Sequence, residues 1–415
     1  MDFKQPHFTS KQILILGLVL IGLGLLANEW LLTTLFSADG NLSPRSVVII
    51  WIFDVAVILT GLILAIGRSF ATLFNTFIGL GFTALLLFGT EKLFYRLNHP
   101  SSPAPASAAP ASISHEGEYT HNFFQPDELL GYKPRPEAQV DSIKKLDDQL
   151  VYDVIYSIDA YSRRVTPADQ LERRNRFILF FGDSFVFGEG VQDDETLPYH
   201  VSDMAPAYRV YNYGFSGYGP QQMLAKLQSD DLAREVPESE GLAIYVFIDA
   251  HVERAIGSMY VYNAWGDQMP YYVSDWQGKL VRRGNFSTGR PLLSTLYWHL
   301  GQSEIAKYYR INLPAKLNRS HYYRAAQIIA EARNTFQTKY RSDAFYVLIY
   351  PDEGDYVEDM IPHFEQFGLK YLNYDERIKL DIDKGLAIAG DGHPTGKAHR
   401  LVAGWMVADL GLGEE

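Results

Sequence analysis

The chain is 415 residues long, 47% hydrophobic and 21% charged, enough for one sizeable core with accessory segments. Its formal net charge of −12 argues against a nucleic-acid partner, because phosphate binding relies on a basic face that releases counterions. With no cysteine, disulfides, thiolate metal sites and a cysteine nucleophile are excluded. Nothing in the residue pattern calls for a metal or a cofactor.

Three long apolar runs crowd the first hundred residues, at about 13–36, 47–67 and 70–90. Each is of the length that crosses a bilayer core, which takes roughly 20 apolar residues in a helix. No small-residue cleavage site follows the first run, so the reading is a membrane anchor over 1–97 with three transmembrane helices and not a signal peptide. Asn28 and Glu29 sit late in the first run and Asp54 inside the second; a structural role, with Asp54 paired to Asn75, is preferred to a catalytic one. Lys4, Lys11 and Arg68 fall on one side, with Arg45, Lys92 and Arg96 on the other, so basic residues do not decide the orientation. An odd number of spans with an inside amino terminus puts the remaining chain on the periplasmic or extracellular side.

The stretch HPSSPAPASAAPASISHEGEYT from His99 is rich in Pro, Ala and Ser, and 98–122 is expected to be an extended linker. From Phe123 to the end the chain reads as one globular domain. Runs rich in β-branched and aromatic residues recur at Phe177–Gly182, Tyr208–Tyr213, Leu242–Ile248, Ala344–Tyr350 and Lys370–Tyr374. Helical patterns between them predict an α/β domain with a parallel sheet covered on both faces. Residues 123–170 read as strands or hairpins at the sheet's margin. An aromatic insertion spans about 255–317, with a hairpin turn at Asp275–Gly278. Its Tyr262, Trp265, Tyr271, Tyr272 and Trp276 could stack on sugar rings, line an acyl groove or form the buried side of a lid.

The strongest local signal is FILFFGDSFVFGEGV at 177–191. An apolar strand ends at Gly182, and Ser184 follows where a helix would start, at the end of a parallel strand where open α/β sheets place ligands. Asp183 and Ser184 also have the makings of a plain helix cap. A serine hydroxyl needs a base, and AGDGHPTGKAHRLVAGWMVADL near the end offers one. There Asp391 and His393 share a Gly/Pro loop, so the carboxylate can hold one ring nitrogen while the other faces the serine. His399 is expected on the following helix, away from the chemistry. In VYNYGFSGYGPQQM at 210–223, Asn212, Gly214 and Gly217 are spaced N-x-G-x-x-G, and a glycine there lets a backbone N–H approach a reacting carbonyl. Ser216 nearly completes a G-x-S-x-G elbow, but Tyr218 occupies the last position.

Together these segments resemble the SGNH/GDSL hydrolases over about 175–410. The resemblance implies a flavodoxin-like three-layer α/β/α fold and a serine hydrolase or acyltransferase acting on ester bonds. It implies Ser184 as nucleophile, with its own N–H and that of Gly217 as oxyanion donors, and His393 with Asp391 completing a catalytic triad. Two departures are plain: the last pair is spaced D-x-H where the family usually has D-x-x-H, and the third block's Asn is replaced by Ala250. His251 is the expected substitute donor, with Arg254 a second possibility; a salt bridge among His251, Glu253 and Arg254 is the bland alternative. Gly217, Asn212 and His251 are thus the expected oxyanion or substrate-binding residues. The function so implied is a membrane-anchored esterase, deacylase or acyltransferase, its partners the bilayer and an acylated glycan or lipid of the cell envelope. Set against it are a non-catalytic carbohydrate-binding or assembly module on the same fold and, resting on the apolar runs alone, a transporter or sensor.

Overall fold

The computed structural model describes residues 9–26, 44–67, 70–99, 113–352, 354 and 356–413. Asn28, Glu29 and most of the expected linker lie outside them. The chain divides into two compact units, Met1–His99 and Pro100–Glu415.

In the first unit the apolar runs are helices: Ser10–Leu26 of 17 residues, Pro44–Gly67 of 24 and Phe70–Asn98 of 29. The first two cross closely because glycine faces glycine. A Cβ on Gly17 would come within 2.6 Å of the Gly61 carbonyl oxygen, and one on Gly61 within 2.6 Å of the Gly17 oxygen. Among the described residues no helix is long and apolar enough to cross a membrane. The apolar runs are thus seen as helices, and the expectation of three crossings finds no support among the described residues.

The second unit is built on five parallel strands, β6 (Arg176–Phe181), β7 (Tyr208–Asn212), β8 (Glu240–Phe247), β11 (Phe345–Ile349) and β12 (Lys370–Asn373). They lie within a residue or two of the five predicted runs. Their spatial order is β12-β11-β8-β6-β7, which in order of appearance is the flavodoxin-like arrangement. Side chains alternate across the sheet with period two. Phe177, Leu179 and Phe181 face one way, into a core closed by the helices Pro220–Gln228 and Arg319–Tyr340. Ile178 and Phe180 face the other, against Leu197–Met204 and Gly396–Leu410. Each such fully buried side chain contributes roughly 1.5–3 kcal/mol.

Smaller sheets adjoin this core. β1 (Ile113–Glu116), β4 (Gln139–Leu146) and β5 (Gln149–Ser157) form an antiparallel sheet in the order β1-β4-β5, and β2 (Phe124–Asp127) pairs with β3 (Gly131–Pro134). β1 lies inside the stretch expected to be linker, because Ile113–Glu116 is hydrogen-bonded along β4. β9 (Pro270–Ser274) and β10 (Leu280–Asn285) form the hairpin anticipated at Asp275–Gly278.

Arg164 fastens this accessory layer to the core. It is buried, with its guanidinium against the rings of Tyr156 and Phe187. Its Nε donates to Asp193 at 2.9 Å, Nη1 to the carbonyls of Phe187 and Gly188 at 2.8 and 2.5 Å, and Nη2 to that of Val191 at 2.7 Å. Arg164→Met would strand three carbonyls and a carboxylate, and is expected to cost roughly 3–5 kcal/mol of unfolding free energy. Urea unfolding of the full chain followed by tryptophan fluorescence measures this; a loss below about 1 kcal/mol would show that the guanidinium does not hold the loop.

Candidate active site

β6 ends at Phe181, and the backbone turns through Gly182 into Asp183, which caps the helix Ser184–Phe187 by accepting from the Phe185 N–H at 3.1 Å. The helix cap foreseen for this dipeptide is therefore real, and it presents Ser184 as the first helical residue. The Ser184 Oγ lies 2.8 Å from His393 Nε2. His393 Nδ1 in turn lies 3.0 and 2.9 Å from the two oxygens of Asp391. What brings a D-x-H pair onto one side of the loop is Gly392, whose φ of 95° only glycine adopts readily. The loop is closed by the Ile388 N–H donating to the His393 carbonyl at 2.8 Å.

The electrostatics favour an ionised Asp391. Burial alone would raise its carboxyl, but hydrogen bonds from His393 and Lys144 outweigh that and hold it below the usual carboxylate range. Burial would lower the His393 imidazole; the Asp391 hydrogen bond and the charges of Glu189, Asp391 and Asp183 outweigh it and raise the ring above its ordinary value. With Asp391 accepting from Nδ1–H, the other nitrogen is left to accept the serine proton. His399 lies on the Gly396–Leu410 helix as expected. It is fully buried against the Tyr350 hydroxyl at 3.0 Å, and burial drives its pKa down to about 3.

Lys144 is the residue sequence reasoning missed. Its Nζ reaches Asp391 Oδ1 at 3.0 Å, and the two side chains are 12% and 1% exposed, so the ion pair is shielded from water. The available signal was the doublet Lys144–Lys145 in a strand. Period-two alternation sends one lysine to each face, and Lys145 pairs with Glu116.

Ser184 and His393 open into a cleft of about 910 Å³ also lined by Gly217, Arg254, Tyr132 and Trp265. Gly217 has a φ of 79°, and a Cβ there would lie 2.6 Å from the Tyr132 hydroxyl and 2.7 Å from the Trp265 indole nitrogen. That indole donates to the Gly217 carbonyl at 3.1 Å. Among the described residues neither the Ser184 nor the Gly217 N–H has a hydrogen-bond partner. Asn212 does not line the cleft: it is buried, donating to the Val186 carbonyl at 2.8 Å and accepting from the Gly214 N–H at 3.0 Å, a brace between two loops. His251 does not line it either. The ring is fully buried, 2.8 Å from the Tyr245 hydroxyl through Nδ1, with Nε2 3.6 Å from Asp183, too long for a hydrogen bond.

Arg254, the second possibility beside His251, does line the cleft. Its Nη1 donates to Asp183 Oδ2 at 2.5 Å and to the Tyr218 carbonyl at 2.9 Å. The anticipated His251–Glu253–Arg254 salt bridge is thus not formed; Glu253 instead accepts from Ser258 and Asn312. Ser216, the serine of the incomplete elbow, donates to Glu189 at 2.5 Å. Of the five aromatics singled out in the insertion, Trp265 alone lines the cleft, joined by Tyr260. Tyr262 and Tyr271 pack on Phe286 and its neighbours, Tyr272 belongs to the main core, and Trp276 is 90% exposed. Among the described residues no group of His, Asp or Glu side chains is placed to hold a metal ion.

No family model matches the chain, and no curated protein sequence does. Among solved structures, a lipolytic protein of the G-D-S-L family from Desulfitobacterium hafniense aligns at a TM-score of 0.32 and 12% identity, over 56% of this chain and 99% of its own. One of the same family from Veillonella parvula aligns at 0.33 and 13%, over 57% and 97%. An acetyl xylan esterase from the rumen bacterium Butyrivibrio proteoclasticus aligns at 0.34 and 10%, over 68% and 73%. Likeness that slight adds nothing to the strand order and side-chain geometry already described.

The Lys144 contact yields a pH prediction. A neutral His393 is needed to accept a proton, so any Ser184-dependent activity should fall on the acid side as the ring protonates, with a midpoint above the ordinary histidine value of about 6.5. Lys144→Met removes a cation that offsets Asp391, which favours the imidazolium and moves that limb to higher pH. A pH profile of kcat/KM on p-nitrophenyl acetate measures it; a limb that stays put or moves down contradicts the assignment.

Proposed function

We propose that the chain is a membrane-anchored serine esterase or acyltransferase of the SGNH/GDSL type, acting on ester-linked acyl groups of cell-envelope glycans or lipids. The observation that carries this reading is the unbroken Ser184–His393–Asp391 hydrogen-bond chain, 2.8 Å and then 2.9 Å, opening into a cleft. Ser184 Oγ attacks the ester carbonyl as its proton passes to His393 Nε2. Collapse of the tetrahedral intermediate expels the alcohol, which takes that proton. Water, or a sugar hydroxyl in the transfer variant, then releases the acyl group by the same steps in reverse. The free N–H groups of Ser184 and Gly217 supply oxyanion donors, each worth about 3 kcal/mol in such sites.

A glycan ester is supported by the lining. Tyr132, Tyr260 and Trp265 supply ring faces for sugar stacking, and Gln125, Asp267 and Gln268 supply hydrogen-bond partners between them. Anchoring is supported by the apolar surface of the first unit, where Ile66 is 80% and Leu85 71% exposed. Side chains of that kind are stable in lipid and costly in water. In this reading the second unit lies on the periplasmic or extracellular side, where envelope glycans are found.

A fluorophosphonate probe should label the full chain and fail to label Ser184→Ala. Absence of labelling in the unaltered chain would favour the non-catalytic carbohydrate-binding or assembly module, the reading to which Ala250 in the third block lends support.

A further inference from the structure

We propose that Arg254 is a catalytic residue, the third oxyanion donor, replacing from one helical turn away the amide that Ala250 lacks. The inference rests on Ser184 acting as nucleophile, and deepens that reading.

Residues four apart on a helix share a face, and Ala250 and Arg254 stand in that relation on the helix Ala250–Ile256. Helical side chains tilt toward the amino terminus, so the long arginine stem runs back over the small Ala250 toward the strand ends. His251, one residue along, is rotated by about 100° and lies buried against Tyr245 and Asp183. The guanidinium is held at two points, each adjacent to a candidate N–H donor. Asp183 precedes Ser184, and the Tyr218 carbonyl follows Gly217. Ser184, Gly217 and Arg254 all line the one cleft. Trp265 covers the guanidinium, its ring centre 6.0 Å from Cζ. With Nη1 fixed in this way, the planar fork is immobilised while Nε is buried with no hydrogen-bond partner among the described residues. Nε is thus closed to a substrate, and the donor left for an incoming carbonyl oxygen is Nη2, which makes no hydrogen bond among the described residues and, unlike Nε, is not sealed from solvent.

In the proposed step, the Ser184 Oγ–carbon bond forms as the carbonyl π bond breaks, and His393 takes the Oγ proton. The electron pair moves onto the carbonyl oxygen, where the N–H groups of Ser184, Gly217 and Arg254 receive it. It returns when the C–O bond to the leaving alcohol breaks and His393 hands that oxygen its proton. Asp183 offsets the guanidinium charge before reaction, so the arginine acts by oriented N–H groups and not by drawing in anions.

The test is steady-state hydrolysis of p-nitrophenyl acetate by the full chain in detergent, with Ser184→Ala, Arg254→Ala and Arg254→Lys. Arg254→Ala should lower kcat by about 10²–10³-fold, with KM within about threefold, the pattern of an interaction made only in the transition state. Arg254→Lys keeps a cation beside Asp183 and loses the fork; its kcat should fall at least about tenfold at an unchanged thermal midpoint. That variant decides the matter if Arg254→Ala does not fold. Ser184-dependent activity with an unchanged kcat in the folded arginine variant overturns the role of Arg254 alone. Hydrolysis that survives Ser184→Ala, or is absent from the unaltered chain, overturns the nucleophile and this proposal together.

Discussion

A carboxylate with no exposed surface, that of Asp183, constrains everything around it. An isolated buried charge is untenable in a folded protein, and one that loses its partner costs several kcal/mol. Burial would raise this carboxyl, but Arg254, assisted by His251, outweighs that and holds it well below its ordinary value. The partner comes from the helix after β8, the carboxylate from the turn after β6, and the same guanidinium takes the Tyr218 carbonyl after β7. Those three strands are adjacent, in the order β8-β6-β7, and β6/β8 is where the strand order reverses direction. One ion pair therefore bridges the crevice in which open α/β sheets place their ligands.

The sheet was legible because its strands are buried on both faces, and double-sided burial writes itself as continuous apolar runs. All five runs are strands. The boundary of the linker was not legible: Ile113–Glu116 is short, largely polar and exposed at every position, and only its hydrogen bonds to β4, far along the chain, make it a strand. The aromatic insertion misled in a similar way. Tyrosines and tryptophans at hairpin, core and cleft positions read alike in sequence, and packing alone distinguishes Trp265 from Trp276.

At the site, legibility followed locality. Ser184 after a strand and Asp391 beside His393 are short-range patterns, and the structure brings these three side chains within hydrogen-bonding distance of one another. Asn212 carries the right spacing for a ligand contact, yet its amide satisfies two backbone groups that would otherwise be orphaned. The choice between His251 and Arg254 turned on helical phase, which three residues of sequence leave open until the helix start is known. Lys144 left only the trace of a lysine doublet in a strand: it is 247 positions from Asp391, and that doublet does not say which residue it meets.

That last contact changes what counts as the smallest working piece. The region of family resemblance begins near residue 175, but the acid of the Asp391–His393 pair leans on a lysine from β4, and β4 is hydrogen-bonded to β1 and β5. The antiparallel layer is thus no decoration on a self-sufficient core. Trimming back to the doubly wound sheet would leave the serine and its imidazole in place while removing the clamp behind them. The natural excision point for a minimal fragment falls ahead of Ile113.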